Sequence, residues 1–237
     1  MANCINCGQE LTGKYCANCG QSADTHRYDF KLIIKDFFDV FYKFKSSIFH
    51  SIKLNYTHPV QSINNYFIGK RIEFYNPLRY VFFISVLNSF LLIKSIHLTS
   101  IPAAPDDPLV EKFIKLYLSN MSIIDMLEIP VISLFTFLLF RKRKLNYPEN
   151  LVANCFLFGN LFLVNILVTL VQWLFHSPAF VEVTDEIFFW SGVVYFIIIY
   201  TLLFKENFVS GILKSLLAVM LSKIIYVCLV IAYTEIF

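Results

Sequence analysis

Five stretches of this chain, at about 78–97, 123–140, 151–175, 187–204 and 212–234, are apolar over the length a helix needs to cross a bilayer. No other feature narrows the accessible folds as much. In hydrocarbon each backbone N–H and C=O must be satisfied internally, so continuous apolar runs of this length fold as helices and pack into a bundle. The composition agrees: 57% of the 237 residues are hydrophobic and only 16% charged, where a soluble domain carries about 25% charged residues. The expected class is an all-α polytopic membrane protein. A count of four or six spans would follow only from misreading the first apolar segment or the helix that precedes it.

The first 24 residues are of another kind. Cys4-Ile5-Asn6-Cys7-Gly8 and Cys16-Ala17-Asn18-Cys19-Gly20 are two Cys-x-x-Cys-Gly knuckles. Four thiolates in two close pairs form a tetrahedral donor set, so Cys4, Cys7, Cys16 and Cys19 are expected to bind one Zn2+. Glycine after the second cysteine tolerates the positive φ such turns often need. Eight residues separate Cys7 from Cys16, which predicts a hairpin turning near Thr12-Gly13-Lys14. A unit this short cannot bury a core, and the metal must supply most of its folding energy, roughly 10–16 kcal/mol in small zinc peptides. Four sulfurs leave no open coordination position, so the zinc reads as structural. Two disulfides, or iron–sulfur ligation, are the competing readings. A reduced zinc ribbon places the N-terminus in the cytosol. Lys14 is the one basic side chain of the hairpin and Tyr15 its aromatic, too little cationic surface for nucleic acid. The ribbon therefore reads as a structural or protein-docking knob. Cys155 and Cys228 lie in apolar runs and read as buried small hydrophobes.

Between ribbon and membrane lies a cytosolic juxtamembrane region, 25–77. Within 29–53, Phe30, Ile33, Ile34, Phe37, Phe41, Phe44, Ile48 and Ile52 follow helical spacing, with Lys35, Asp39 and Lys43 on another face. Such a helix lies in the interface on anionic headgroups, or packs against the protein's own spans. A turn is expected at Asn55–His58, then a short helix bracketed by Pro59 and Gly69. Gly69-Lys70-Arg71 through Asn76-Pro77-Leu78-Arg79 follows, a hinge in which Lys70, Arg71 and Arg79 stay at headgroup level while Phe74, Tyr75 and Tyr80 anchor at the interface.

The ribbon ending Cys19-Gly20-Gln21, the Phe-rich helix, Pro59, and the block from Gly69-Lys70-Arg71 to Asn76-Pro77-x-Arg79 together resemble a bacterial family of zinc-ribbon membrane proteins, designated domain of unknown function 3667. The resemblance covers about residues 1–95 and rests on hydropathy beyond them. It implies a ribbon followed by a multi-span membrane domain, 78–237, and nothing about catalysis.

Charge orients the spans. Sixteen of the twenty Lys and Arg residues fall on one side: those of 1–79, Arg141-Lys142-Arg143-Lys144, Lys205 and Lys214. The other side carries Asp106, Asp107, Glu111, Glu182, Asp185, Glu186 and Glu235. The positive-inside rule then predicts a multi-pass protein of the cytoplasmic (inner) membrane, N-terminus cytosolic and C-terminus external. Residues 1–28 are polar and cysteine-rich, so no cleaved leader is expected. Thr99–Asp107, with Pro102 and Pro105, reads as an extended outer loop, and 110–121 as an interfacial helix. Ser122 and Asp125 resemble a capping box opening span 2, and Pro130 should kink that span.

Two ionisable residues stand out inside spans, Glu128 and Lys223. They either pair with each other or each snorkels to a headgroup region. Asn154, Asn160, Asn165 and Gln172 of span 3 read as interhelical glue rather than a solute path, with Ser85, Asn88 and Ser89 as candidate partners. His26, His50, His58, His97 and His176 are dispersed, and no catalytic constellation occurs. The function expected is a non-enzymatic membrane protein whose ribbon docks a cytosolic protein partner or supports assembly. The alternative is a small-solute transporter or channel using Glu128 and Lys223. No inverted repeat is visible, so transport by five spans would call for a homo-oligomer.

Overall fold

The computed structural model describes residues 2–25, 27–39, 48–99, 108–175 and 177–236. Its elements are helices: α1 (Phe30–Asp39), α2 (Ile48–Thr57), α3 (Pro59–Phe67), α4 (Pro77–Thr99), α5 (Pro108–Leu139), α6 (Tyr147–Phe175), α7 (Pro178–Leu203) and α8 (Phe208–Ile236). The ribbon adds two isolated β-bridges, Asn3 with Glu10 and Tyr15 with Ser22. Among the described residues, five helical segments are long and apolar enough to span a membrane: Pro77–Ser95, Asn120–Leu139, Tyr147–Phe175, Pro178–Leu203 and Phe208–Ala232. The expected all-helical class with five such helices is observed.

Three boundaries differ from expectation. The fourth span opens at Pro178 rather than near 187. Ser177 caps it by accepting the Phe180 N–H, and Pro178 occupies the first turn, where its missing N–H costs nothing. Glu182, Asp185 and Glu186 therefore ride on α7 instead of a loop. In α5 the helical backbone is interrupted at Asn120 (φ −125°, ψ 16°), so Ser122 and Asp125 lie inside the helix and form no capping box; Pro130 sits inside it too, without itself being the non-helical residue. The turn expected at Asn55–His58 narrows to His58, because α2 continues through Thr57. Residues 40–47 of the amphipathic segment, 100–107 of the outer loop, His26 and His176 fall outside the described residues, as do the side chains of 37–39, 96–99, 108–119 and 233–236.

The chain divides into two compact units, Met1–Val81 with Leu145–Asn160, and Phe82–Lys144 with Leu161–Phe237. This division cuts through α4 and α6, so it follows other lines than the ribbon, collar and membrane parts read from the sequence. The core of the first unit is aromatic. Tyr66 meets Tyr28 at 5.9 Å and Phe156 at 5.5 Å, and Phe156 also meets Tyr80 at 5.9 Å and Phe74 at 6.2 Å between ring centroids. Tyr80 reaches α6 because Gly159 leaves room: a Cβ there would lie 2.2 Å from its ring. Phe74, Tyr75 and Tyr80 are thus buried core residues, not interfacial anchors.

The second unit is built differently. α8 packs against α5 and α7. It presents Ser215, Ala218 and Ser222, all buried, at four-, three- and four-residue steps from Gly211. Small residues at that spacing let helix backbones approach where lipid removes any hydrophobic driving force. On α5, Ile132, Ser133 and Thr136 are equally buried. Phe140 closes one end, stacked on Phe204 at 4.3 Å.

Candidate metal centre

Each knuckle of the ribbon folds by the same local rules. The Cys4 N–H donates to the Gln9 carbonyl and the Gly8 N–H to the Cys4 carbonyl; twelve residues on, Cys16, Gln21 and Gly20 repeat both bonds. Gly8 and Gly20 sit at φ +79° and +77°, where an L side chain would be strained. Each knuckle therefore closes its own small bridged loop, and the anticipated turn near Gly13 merely joins two copies of one unit.

The duplication brings four sulfurs together. Cys4 Sγ lies 3.6 Å from Cys19 Sγ and Cys7 Sγ 3.5 Å from Cys16 Sγ, and all four lie within 4.8 Å of one another. A tetrahedral shell with metal–sulfur bonds of about 2.3 Å has sulfurs about 3.8 Å apart. The cluster matches that spacing, and its cysteines are free, so no disulfide joins the two pairs. These four residues can hold a metal ion. The Gln9 backbone N–H, then Asn18 and the neighbouring sulfurs, lower the Cys7 thiol to about 6. At Cys19 the Gln21 backbone N–H pulls down, but burial and the other three sulfurs push the thiol up to about 11. Cys7 and Cys19 thus differ in how readily they give up a proton, as crowded sulfurs do.

The ribbon is fastened by the motif that follows α3. Gln21 is buried, and its side-chain oxygen accepts the N–H groups of Arg71 (3.1 Å) and Ile72 (3.0 Å). Gly69, at φ +103°, ends α3 against Thr25, and the Lys70 N–H returns to the Asn65 carbonyl. The Arg71 guanidinium stands over the rings of Tyr28 (5.3 Å) and Tyr66 (5.5 Å). Asn76 caps α4 through the N–H groups of Leu78 and Arg79, with Pro77 in the first turn. Arg71 is thus held over two aromatic rings and Arg79 is buried within the protein, rather than both lying open to solvent. Lys70 is half-buried. Sequence reasoning missed Gln21 as the link, although its place beside Cys19-Gly20 was the available signal. It also missed Arg27, whose guanidinium grips Glu149 of α6 at 2.6 and 2.7 Å.

In the second unit Lys223 Nζ lies 2.7 Å from Glu128 Oε2, so the two intramembrane charges pair. One turn away on each helix, the Tyr226 hydroxyl lies 3.4 Å from Asp125 Oδ1. The pair is level because the membrane-competent segment of α5 starts at Asn120 and that of α8 ends at Ala232, putting both residues about 12–14 Å in at 1.5 Å per residue. At the other end Glu206, its side chain 1% exposed, binds Lys214 at 2.7 Å and Lys142 at 3.1 Å. Arg143 donates to the Leu203 carbonyl at 2.9 Å. The two basic loops that the charge count put on one side therefore meet. The span-3 amides act as glue in two places. Asn160 accepts the Tyr80 hydroxyl and donates to the Asn55 carbonyl, while Gln172 donates to Thr184 and Asp185. Ser85, Asn88 and Ser89 are buried as well.

No family model, curated protein or solved structure matches the chain. Function rests on this geometry.

Proposed function

We propose that this is a non-enzymatic integral protein of the bacterial inner membrane whose cytosolic ribbon holds a structural Zn2+ and docks a protein partner or supports assembly. The observation that carries the reading is the closed four-sulfur cluster, complete without water or substrate and fastened through Gln21. Zinc suits the site because four thiolates at tetrahedral spacing are its usual structural shell. Docking is supported by Ile5 and Tyr15, both exposed on the ribbon; aromatic and aliphatic side chains left in water commonly mark contact surfaces. A cytosolic ribbon is supported by the meeting of the basic loops at Glu206. Membership of the zinc-ribbon family named above belongs to the same proposal.

Transport remains the second reading, favoured by Asp125 and Tyr226 standing beside the Glu128–Lys223 pair. It is the weaker one, since each charge of that pair already has its counter-charge and neither calls for a solute ion. The deciding experiment compares tagged wild-type protein with Cys16→Ser after crosslinking in native membranes. Docking expects a captured protein that the variant loses, with cellular fitness lost alongside. If fitness survives Cys16→Ser but not Glu128→Gln, transport takes its place. An impermeant thiol reagent should spare a cysteine placed at Asn146 and label one added after Phe237; the reverse pattern overturns the topology.

A further inference from the structure

The first unit contains a cation that its described acids do not balance. Arg79 is 5% exposed and its Nε has no hydrogen-bond partner. The ion pairs among the described residues include Arg27–Glu149, Lys142–Glu206, Lys214–Glu206 and Lys223–Glu128, and none of these involves Arg79. Leaving a buried charge unpaired is strongly unfavourable, and a guanidinium has no easy escape by giving up its proton.

Its surroundings are polar and incompletely used. One turn earlier, the Tyr75 N–H donates to Ser51 Oγ of α2. Burial pushes the Tyr75 phenol up and the Arg79 charge draws it part of the way back, which places the guanidinium within electrostatic reach of that ring. One turn beyond Ser51, Asn55 is buried with both side-chain heteroatoms unpartnered. Its own carbonyl accepts Asn160, which in turn accepts the hydroxyl of Tyr80, the residue after Arg79. The chain on both sides of Arg79 is therefore tied to α2 at Ser51 and Asn55. The segments joined by these bonds thus carry a buried cation, Arg79, and a buried amide, Asn55, whose nitrogen and oxygen are both unpartnered. The helix N-terminus is not the site, because Asn76 already occupies its first N–H groups.

We propose that Arg79 and Asn55 form a binding site for one phosphate-bearing anion, filled in the membrane by the phosphodiester of an anionic lipid headgroup. The planar guanidinium matches two phosphate oxygens at once, and the Asn55 amide can donate to a third. Arg79 lies about 3 Å along α4 from Pro77, where the span begins, so it is at the depth where lipid phosphates sit. Anionic lipids are also drawn to the basic face that the charge distribution places there. This inference rests on α4 starting at a bilayer surface and not on the ribbon's docking role.

The test uses the full-length protein in nanodiscs of phosphatidylcholine alone or with one-fifth phosphatidylglycerol, with retained lipid counted by native mass spectrometry. Wild type should keep one phosphatidylglycerol per chain, preferred about tenfold or more over phosphatidylcholine. Arg79→Gln should fall to no preference, Arg79→Lys should lose most of it, and exposed Lys53→Gln should retain it. Inorganic phosphate is added to the phosphatidylcholine discs as a separate arm. A phosphate-dependent rise in unfolding temperature that Arg79→Gln abolishes would keep the site but make its source the free anion. A wild type without lipid preference or phosphate response overturns the proposal, as does an Arg79→Gln protein that keeps the preference. Should Arg79→Gln fail to assemble, the wild-type titration and Asn55→Leu, expected to weaken retention several-fold, decide in its place.

Discussion

The two units place polar groups where water is scarce, and they satisfy them by different means. The first has one ion pair, Arg27 with Glu149, and otherwise uses neutral side chains to answer backbone: Gln21 takes two N–H groups, Ser51 takes that of Tyr75, and Asn160 reaches the Asn55 carbonyl. The second relies on charges answering charges, Glu128 with Lys223 and Glu206 with Lys142 and Lys214. Neutral bonds fix the direction of a chain segment at about 1 kcal/mol each and are indifferent to pH. Ion pairs lock helices in register but make the fold depend on both partners staying charged.

The sharpest break of this comparison is removal of the ribbon's metal ligands. If the cluster holds the proposed zinc, Cys16→Ser should cut bound zinc from about one per chain to near zero and loosen residues 2–24, because a unit this short buries no core of its own. Elemental analysis and limited proteolysis read the two effects. Stoichiometric iron in the wild type would refute the zinc assignment while leaving the four-sulfur site.

Next in size is the intramembrane pair. Glu128→Gln or Lys223→Met alone should destabilise the protein by about 3 kcal/mol, and the double variant by less than the two singles summed. Thermal unfolding in detergent measures this, and strictly additive losses would mean that the charges do not interact. In the first unit the matching test is steric. Gly159→Ala drives a methyl into the Tyr80 ring and should cost about 1–3 kcal/mol; Gln21→Ala, which frees two N–H groups, should cost about 1–2 kcal/mol and speed cleavage between ribbon and α3.

The smallest effect is with pH. Lys214, with Lys142 and Ser210, holds the Glu206 carboxyl below its ordinary 4.5. A carboxylate lowered on folding contributes stability that is present above its unfolded value and lost as pH falls through the folded one. Stability should therefore drop progressively below about pH 4.5, and Glu206→Gln should flatten that slope slightly. An unchanged slope would show that the clamp adds nothing.

Much of this was legible in the residues. The Cys4–Cys7 and Cys16–Cys19 spacings made the cluster readable because a knuckle is local: its backbone bonds join residues at most nine apart. Glu128 and Lys223 stood out because charge in an apolar run is costly, but their pairing needed the true span ends. Those ends depended on Asn120 and on the position of α8, neither evident from hydropathy averages. That Arg71 stands over aromatic rings and that Arg79 is buried was not legible, because a cation beside a span looks the same in sequence whether it meets lipid, an aromatic ring or a protein interior. The stripe Gly211, Ser215, Ala218 and Ser222 was a usable sign that α8 packs closely, and it went unread.

The sequence alone determined the helical class, the five apolar segments and the four-sulfur donor set, since each follows from period, length or spacing within one stretch of chain. Only tertiary structure decided that Gln21 ties the ribbon to the Arg71 backbone, that Glu128 meets Lys223, and that Arg79 is buried without an acid beside it. Those facts link residues fifty to ninety-five positions apart, or record the lack of such a link among the described residues. Local propensity carries no information about which distant side chain will come to stand at a given place.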